Sequence, residues 1–269
     1  MSMKLKLVGI TILSLLFLSP IVLTIVNSFV PTSELLINHH LTIPQRFSLY
    51  QYYLLLIERL DYLHMFWNSV IITLCILLGN SLYSIFIGCY LAKAKVAAKK
   101  YILLLFIVAS IIPYQAIMLP QYILLRYFNF LDKNIGLILP MLFSPLGVLI
   151  MYVLCHLVPE ELIEAVKLET NSTFNIFQYA IFPTIKGGIV ILIIFIFSEA
   201  WNIVEPALAI FDTVYKQPLS TLLASLQSEK DIIFAAAVIY MFPSIIIYFF
   251  FHEALNDTLH YLKEKELTL

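Results

Sequence analysis

Charge-free apolar runs alternate along the chain with shorter polar segments. Leu7 to Val30 carries no charged side chain, and neither do Met65 to Ala92, Tyr101 to Leu125, Asn134 to Cys155 or Ile232 to Phe251. A further run, Gly187 to Ile210, is interrupted by Glu199 and Glu205. A hydrocarbon core about 30 Å thick needs about 20 apolar residues of helix. The pattern therefore predicts six spans, about 7–30, 65–92, 101–125, 134–155, 187–210 and 232–251. The runs are too long for β-barrel strands and lack period-two alternation, so helices are the only spanning option. Lys4 and Lys6 precede the first run as in a signal peptide. Its apolar stretch is too long for one, however, and no small-x-small cleavage site follows. It is read as a retained helix, kinked at Pro20. The expected fold class is an all-α polytopic membrane protein with six transmembrane helices, forming a single domain over residues 1–269.

Composition agrees with that pattern. Of 269 residues, 61% are apolar and 12% are charged, against about 25% charged in a soluble domain. Mean hydropathy is +0.94. This composition argues against a cytosolic enzyme, and a net charge of −1 removes the electrostatic case for nucleic acid. Cys75, Cys89 and Cys155 have the spacing of neither a disulfide framework nor a zinc site, and are expected to be small buried residues. Orientation follows the positive-inside rule. With the N-terminus inside, segments 1–6, 92–100, 156–186 and 252–269 hold ten Lys and Arg, against six in 31–64, 126–133 and 211–231. Lys93, Lys95, Lys99 and Lys100 cluster between two spans. Both termini are expected to be cytoplasmic.

The longest inside segment, 156–186, is no simple linker. Pro159 suits a first helical turn, and Glu160 and Glu161 favour the positive helix terminus. Leu162, Ala165, Val166 and Leu168 then form an apolar side. Thr170-Asn171-Ser172 breaks the pattern, and Ser172 or Asn171 can cap a second helix over about 173–182 carrying Phe174, Phe177, Tyr179 and Ile181. Pro183 is expected to end it, with Gly187-Gly188 loosening the entry to the fifth span. An interfacial helix resting on lipid would want Lys and Arg on its polar face. Here Glu160, Glu161, Glu164 and Glu169 face only Lys167, which favours a basic protein partner.

These residues resemble the cytoplasmic loop of ATP-binding cassette (ABC) import permeases. That loop is marked by E-A-A, three residues, G, nine residues, then I-x-L-P. Glu164-Ala165-Val166 stands at the E-A-A position, Thr170 at the glycine, and Ala180 to Pro183 at I-x-L-P, in unbroken register. Asn68-Ser69, Trp201-Asn202, Pro113 with Met118-Leu119-Pro120, Gly136 to Pro140, and Phe234 to Ala237 with Phe242-Pro243 are similar to the six-helix subunit of maltose-type carbohydrate importers. The likeness runs roughly from Val22 to Leu255. It implies a permease subunit in a bacterial inner membrane, forming half of a sugar path beside a homologous second permease. It further implies two ATPase subunits beneath and an extracytoplasmic solute-binding protein above. Coupling to the ATPase would fall to Glu160, Glu161, Glu164, Ala165, Leu168, Glu169, Thr170, Phe177 and Pro183.

Hydrogen bonding and ring stacking are the chemistry of sugar binding. Asn80, Tyr83, Tyr114, Gln115, Glu199, Trp201 and Asn202 are therefore candidates for a substrate path, although polar side chains in spans also simply join helices. Glu199 is a functional candidate because ionisable groups inside a membrane are costly. Glu205 with Pro206 lies near the outer mouth, where water reaches it. His39-His40 lacks further metal ligands. No G-x-x-x-x-G-K-[ST] motif is present, so ATP and Mg belong to partner subunits and this chain itself needs no cofactor. The rival reading is a stand-alone secondary transporter or channel, with Glu199 as an ion site. It predicts inverted repeats, and none stands between residues 1–125 and 134–251. An intramembrane enzyme would need a nucleophile–base pair, which does not stand out.

Overall fold

Prolines and caps set where the long apolar runs break. The computed structural model describes residues 3–37, 46–94, 97–170, 172–225 and 232–266, with side chains from Lys6 to Leu255. His39, His40, Lys95, Asn171 and Lys230 lie outside the described residues, as do the side chains of Lys4, Lys263 and Lys265. Regular structure among the described residues is helical throughout. Helix α1 spans Met3–Asn27, α2 Thr32–Ile37 and α3 Tyr50–Tyr53, which runs on as a π-turn, Leu54–Glu58. Then come α4 (Leu60–Lys93), α5 (Lys99–Ile111), α6 (Tyr114–Tyr127), α7 (Asn134–Met141) and α8 (Pro145–His156). Two short helices follow, α9 (Glu160–Glu169) and α10 (Thr173–Ile176). A π-turn at Phe177–Ile181 leads into α11 (Phe182–Trp201), and α12 spans Glu205–Ile210. After a 3-10 turn at Val214–Lys216, α13 (Leu219–Ser225) and α14 (Ile233–Glu266) complete the chain.

Among the described residues, five helical stretches are long and apolar enough to cross a membrane, or six when the bent pair α5–α6 counts as one span. That pair differs from the single straight run expected over 101–125: its halves meet at 97°. Pro113 supplies no N–H and drives the preceding Ile112 into an extended conformation. The fourth span is likewise divided, because Pro145 starts a fresh helix whose cap, Ser144, accepts from the Gly147 N–H. The fifth span ends at Trp201 rather than Ile210, and Glu205 begins a separate short helix. Pro183 does not end the preceding helix. It sits in the first turn of α11, directly after the π-turn, and Thr173–Trp201 is one apolar stretch. The Phe182 N–H bonds the Phe177 carbonyl five residues back, so the ladder shifts register just ahead of the residue that lacks a donor. Gly187 and Gly188 accordingly lie inside α11, and α14 runs well past 251.

The central seam is α4 against α8. Without a hydrophobic driving force between helices in lipid, close approach of small residues does the packing. A Cβ on Gly88 would stand 2.5 Å from that of Met151, and Gly147 presses on Ser84. The same closeness corrects the cysteine expectation. Cys89 and Cys155, both buried, are joined by a disulfide across the seam, while Cys75 is exposed on α4. A pairing across 66 residues leaves no mark in local spacing. The core continues from this seam into α11 through Ile72, Ile76, Leu192 and Ile196.

Candidate functional site

Two places gather the candidate residues. The first is the surface of α9 and α10. Glu160 and Glu161 open α9 and Lys167 lies in its last turn, both favourable to the helix dipole. Ile163 is buried and Val166 packs beside it on the core, so Val166 turns inward rather than joining the outward apolar side. Ala165 lies opposite Ile163 on the helix and is exposed, together with Glu160, Glu161, Leu162, Glu164 and Glu169. Leu168 is 90% exposed. The helix thus presents a small residue flanked by leucines and glutamates, with its opposite face seated.

Thr170 forms the turn. Its backbone is extended (φ −154°, ψ 143°), a conformation open to any residue, so a threonine can stand where the resembled motif has glycine. Its Oγ1 accepts from the Ser172 N–H at 3.2 Å and from Asn175 Nδ2 at 3.2 Å. Ser172 is the cap of α10. Phe177 points to the bundle, against Phe86 and Phe182, whereas Phe174 and Tyr179 stay exposed. Pro183 is exposed in the first turn of α11.

The second place is a cavity of about 810 Å³ beside the α5–α6 bend and the end of α11. Tyr114, Glu199 and Asn202 line it, with Gln121, Phe143, Ser144 and Glu205. Gln115 does not line it but donates from Nε2 to Glu205 at 2.6 Å, linking the first turns of α6 and α12. Asn202 is held at both amide atoms: Nδ2 donates to the Ser198 carbonyl and Oδ1 accepts from the Tyr240 hydroxyl at 2.8 Å.

The other three candidates stand behind the wall. Buried Asn80 donates to the Met141 carbonyl, at the α7–α8 break, and accepts from Ser84. Tyr83 sets its ring edge-on to Phe143, 5.2 Å away. Trp201 is 2% exposed; its indole N–H donates to the Tyr240 carbonyl, and the single Tyr240 hydroxyl proton is shared between the Trp201 carbonyl and Asn202 Oδ1. Sequence reading missed Tyr240, which holds Asn202 from 38 residues away. A tyrosine within an apolar run carries no sign of such a partner.

The family model described as binding-protein-dependent transport system inner membrane component matches residues 84–261. The chain is 28% identical over 247 residues to the arabinooligosaccharides transport system permease protein AraQ of Bacillus subtilis, covering 90% of this chain and 88% of that one. It is 31% identical over 193 residues to the probable starch degradation products transport system permease protein AmyC of Thermoanaerobacterium thermosulfurigenes, covering 71% and 69%. In fold it is similar, with a TM-score of 0.79 and 17% identity, to a chain of a bacterial ABC transporter involved in import of the acidic polysaccharide alginate, covering 94% and 98%.

Proposed function

Because the chain belongs to the family of binding-protein-dependent transport system inner membrane components, we propose that it is the permease half of an ABC importer for a sugar or oligosaccharide. The family is one of transport components rather than enzymes, and the match favours it over a stand-alone secondary transporter or channel. A homologous second permease completes the path, two ATPase subunits dock at the α9 end, and a solute-binding protein delivers substrate at the other. Both termini then lie in the cytoplasm. The names of the relatives support a carbohydrate cargo. So does the mixed cavity lining, since Tyr114 offers a ring and Glu199 and Gln121 offer hydrogen-bonding groups.

The observation that carries this reading is the exposed face of α9. Its far side is seated on the core by Ile163 and Val166, while Leu162, Ala165 and Leu168 have no cover. Four glutamates around them suit a cleft with basic residues. ATP-driven closure of the ATPase dimer moves the docked helix, and the bundle alternates between inward- and outward-facing states.

Ala165→Asp tests it. The change adds volume and places an unpartnered charge at the closest approach, which costs several kcal/mol. The variant is expected in the membrane at normal level, without co-purifying ATPase and without uptake. Normal uptake with stoichiometric ATPase would remove α9 as the coupling element. The isolated chain is expected to hydrolyse no ATP.

A further inference from the structure

We propose that Lys93 is a positioning residue that fastens the root of the α9 coupling element to α4; this rests on the reading of α9 as the docking helix. Lys93 is the last residue of α4, and its ammonium donates to the Val158 carbonyl at 2.6 Å. Val158 is 1% exposed and immediately precedes Pro159, the N-cap of α9. Val158 stands one residue past Leu157, the C-cap of α8, so its carbonyl lies in the joint between the two helices. A charged donor at that spot makes a shorter and stronger bond than a neutral one.

The position of this bond gives it a role beyond marking the membrane boundary. The apolar side of α9, Ile163 and Val166, packs toward the α10 turn, which runs straight into α11. Displacement of α9 therefore has one route into α11 and a second into α4, carried both by α8, which the Cys89–Cys155 disulfide ties to α4, and by the Lys93–Val158 bond at the joint itself. The second route reaches far. α4 is locked along α8 by the Gly88 and Gly147 contacts. At its other end Ser69 accepts from the Leu219 N–H and Asn68 donates to the Tyr215 carbonyl. Neighbouring Lys99 provides the contrast. It bonds the Ala92 carbonyl and lies over the Tyr152 ring, so it caps α4 and meets α8 more than a turn before the α8–α9 joint.

The test uses the complete transporter, both permeases and both ATPases, in lipid vesicles. The probe is the cognate binding protein isolated with its endogenous ligand. Lys93→Met is expected to keep the ATPase subunits and, within about twofold, the basal hydrolysis. Its stimulation by the loaded binding protein falls about tenfold, the size of a typical coupling factor. Lys93→Arg restores most of the stimulation, and Lys99→Met behaves as the unaltered protein. Lys93→Gln replaces the methionine variant if that one does not accumulate. Unchanged stimulation in Lys93→Met overturns the proposal, and so does loss of stimulation in Lys99→Met to the same extent. Loss of ATPase subunits from Lys93→Met also overturns it, because the lysine would then serve docking rather than transmission. Retained ATPase and uptake in Ala165→Asp would instead remove the docking reading beneath it.

Discussion

Asp132 shows how much one side chain organises. Its backbone is left-handed at φ 55°, which aspartate tolerates better than most residues. Its carboxylate accepts from the Thr213 N–H at 3.1 Å, from Thr213 Oγ1 at 2.9 Å and from Lys216 Nζ at 2.5 Å. Its own N–H donates to the Ile210 carbonyl, so the α6–α7 loop is clasped to the segment after α12. The Lys216 ammonium, with the Thr213 donors, holds the Asp132 carboxyl below its ordinary range, and the carboxylate in turn raises Lys216. A lowered acid contributes stability above its unfolded value and loses it as pH falls through the folded one. A raised base contributes below its unfolded value and loses it as pH rises through the folded one. The clasp is thus complete across the neutral range and fails first in acid. Asp132→Asn keeps the backbone tolerance and removes the charge. It is expected to lower the melting temperature in detergent at neutral pH and to abolish the extra acid sensitivity of the unaltered protein. Parallel pH profiles for the two would contradict this. Tyr240→Phe is the other residue-scale test. It frees the Asn202 oxygen and the Trp201 carbonyl, a loss of about 1 kcal/mol, read as a lower melting temperature with the helices intact by circular dichroism.

Among elements, α4 and α8 share the most extensive contact of the described residues. A side chain at Gly88 would meet the Met151 Cβ and the Tyr152 backbone nitrogen, neither of which can swing away. Gly88→Leu is expected to cost about 1–3 kcal/mol through overpacking and to separate α8 from α4, seen as reduced yield of folded protein on size exclusion. Gly9, with nothing within 4 Å, is the control position, where leucine should be tolerated. Helix existence was legible from hydropathy, but the spans expected over 101–125 and 134–155 ran through Pro113 and Pro145, where the structure breaks them. Pro183 was not legible either. A proline reads as a terminator, but the π-turn before it shifts the hydrogen-bond register and the helical path continues. Register shifts follow from packing on both sides of a helix, which no local window contains.

For the whole molecule, the proposed orientation sets which loops an impermeant reagent reaches. Single cysteines at Lys99 and Lys186 are expected to stay unlabelled in intact cells, and one at Lys133 to label. The reverse pattern would invert the topology and place α9 away from any cytoplasmic ATPase. At this scale the cavity was only partly legible. Tyr114, Glu199 and Asn202 line it, Gln115 holds its rim through Glu205, Asn80 and Tyr83 brace it from behind, and Trp201 is buried against Tyr240. Polar residues in apolar runs announce that something costly is present. They do not announce whether the partner is a ligand or another helix.

Hydropathy alone determined that the chain is a bundle of membrane helices, because the bilayer demands about 20 apolar residues per span whatever surrounds them. The break at Thr170 to Ser172 likewise separated the two short helices α9 and α10, since capping is a local signal. Tertiary structure alone decided which face of α9 is uncovered, that Lys93 meets Val158, that Cys89 meets Cys155, and that Tyr240 holds Asn202. Each of these depends on two helices approaching at one particular level. Their separations along the chain, 65, 66 and 38 residues for the three pairs, fall outside any helical period.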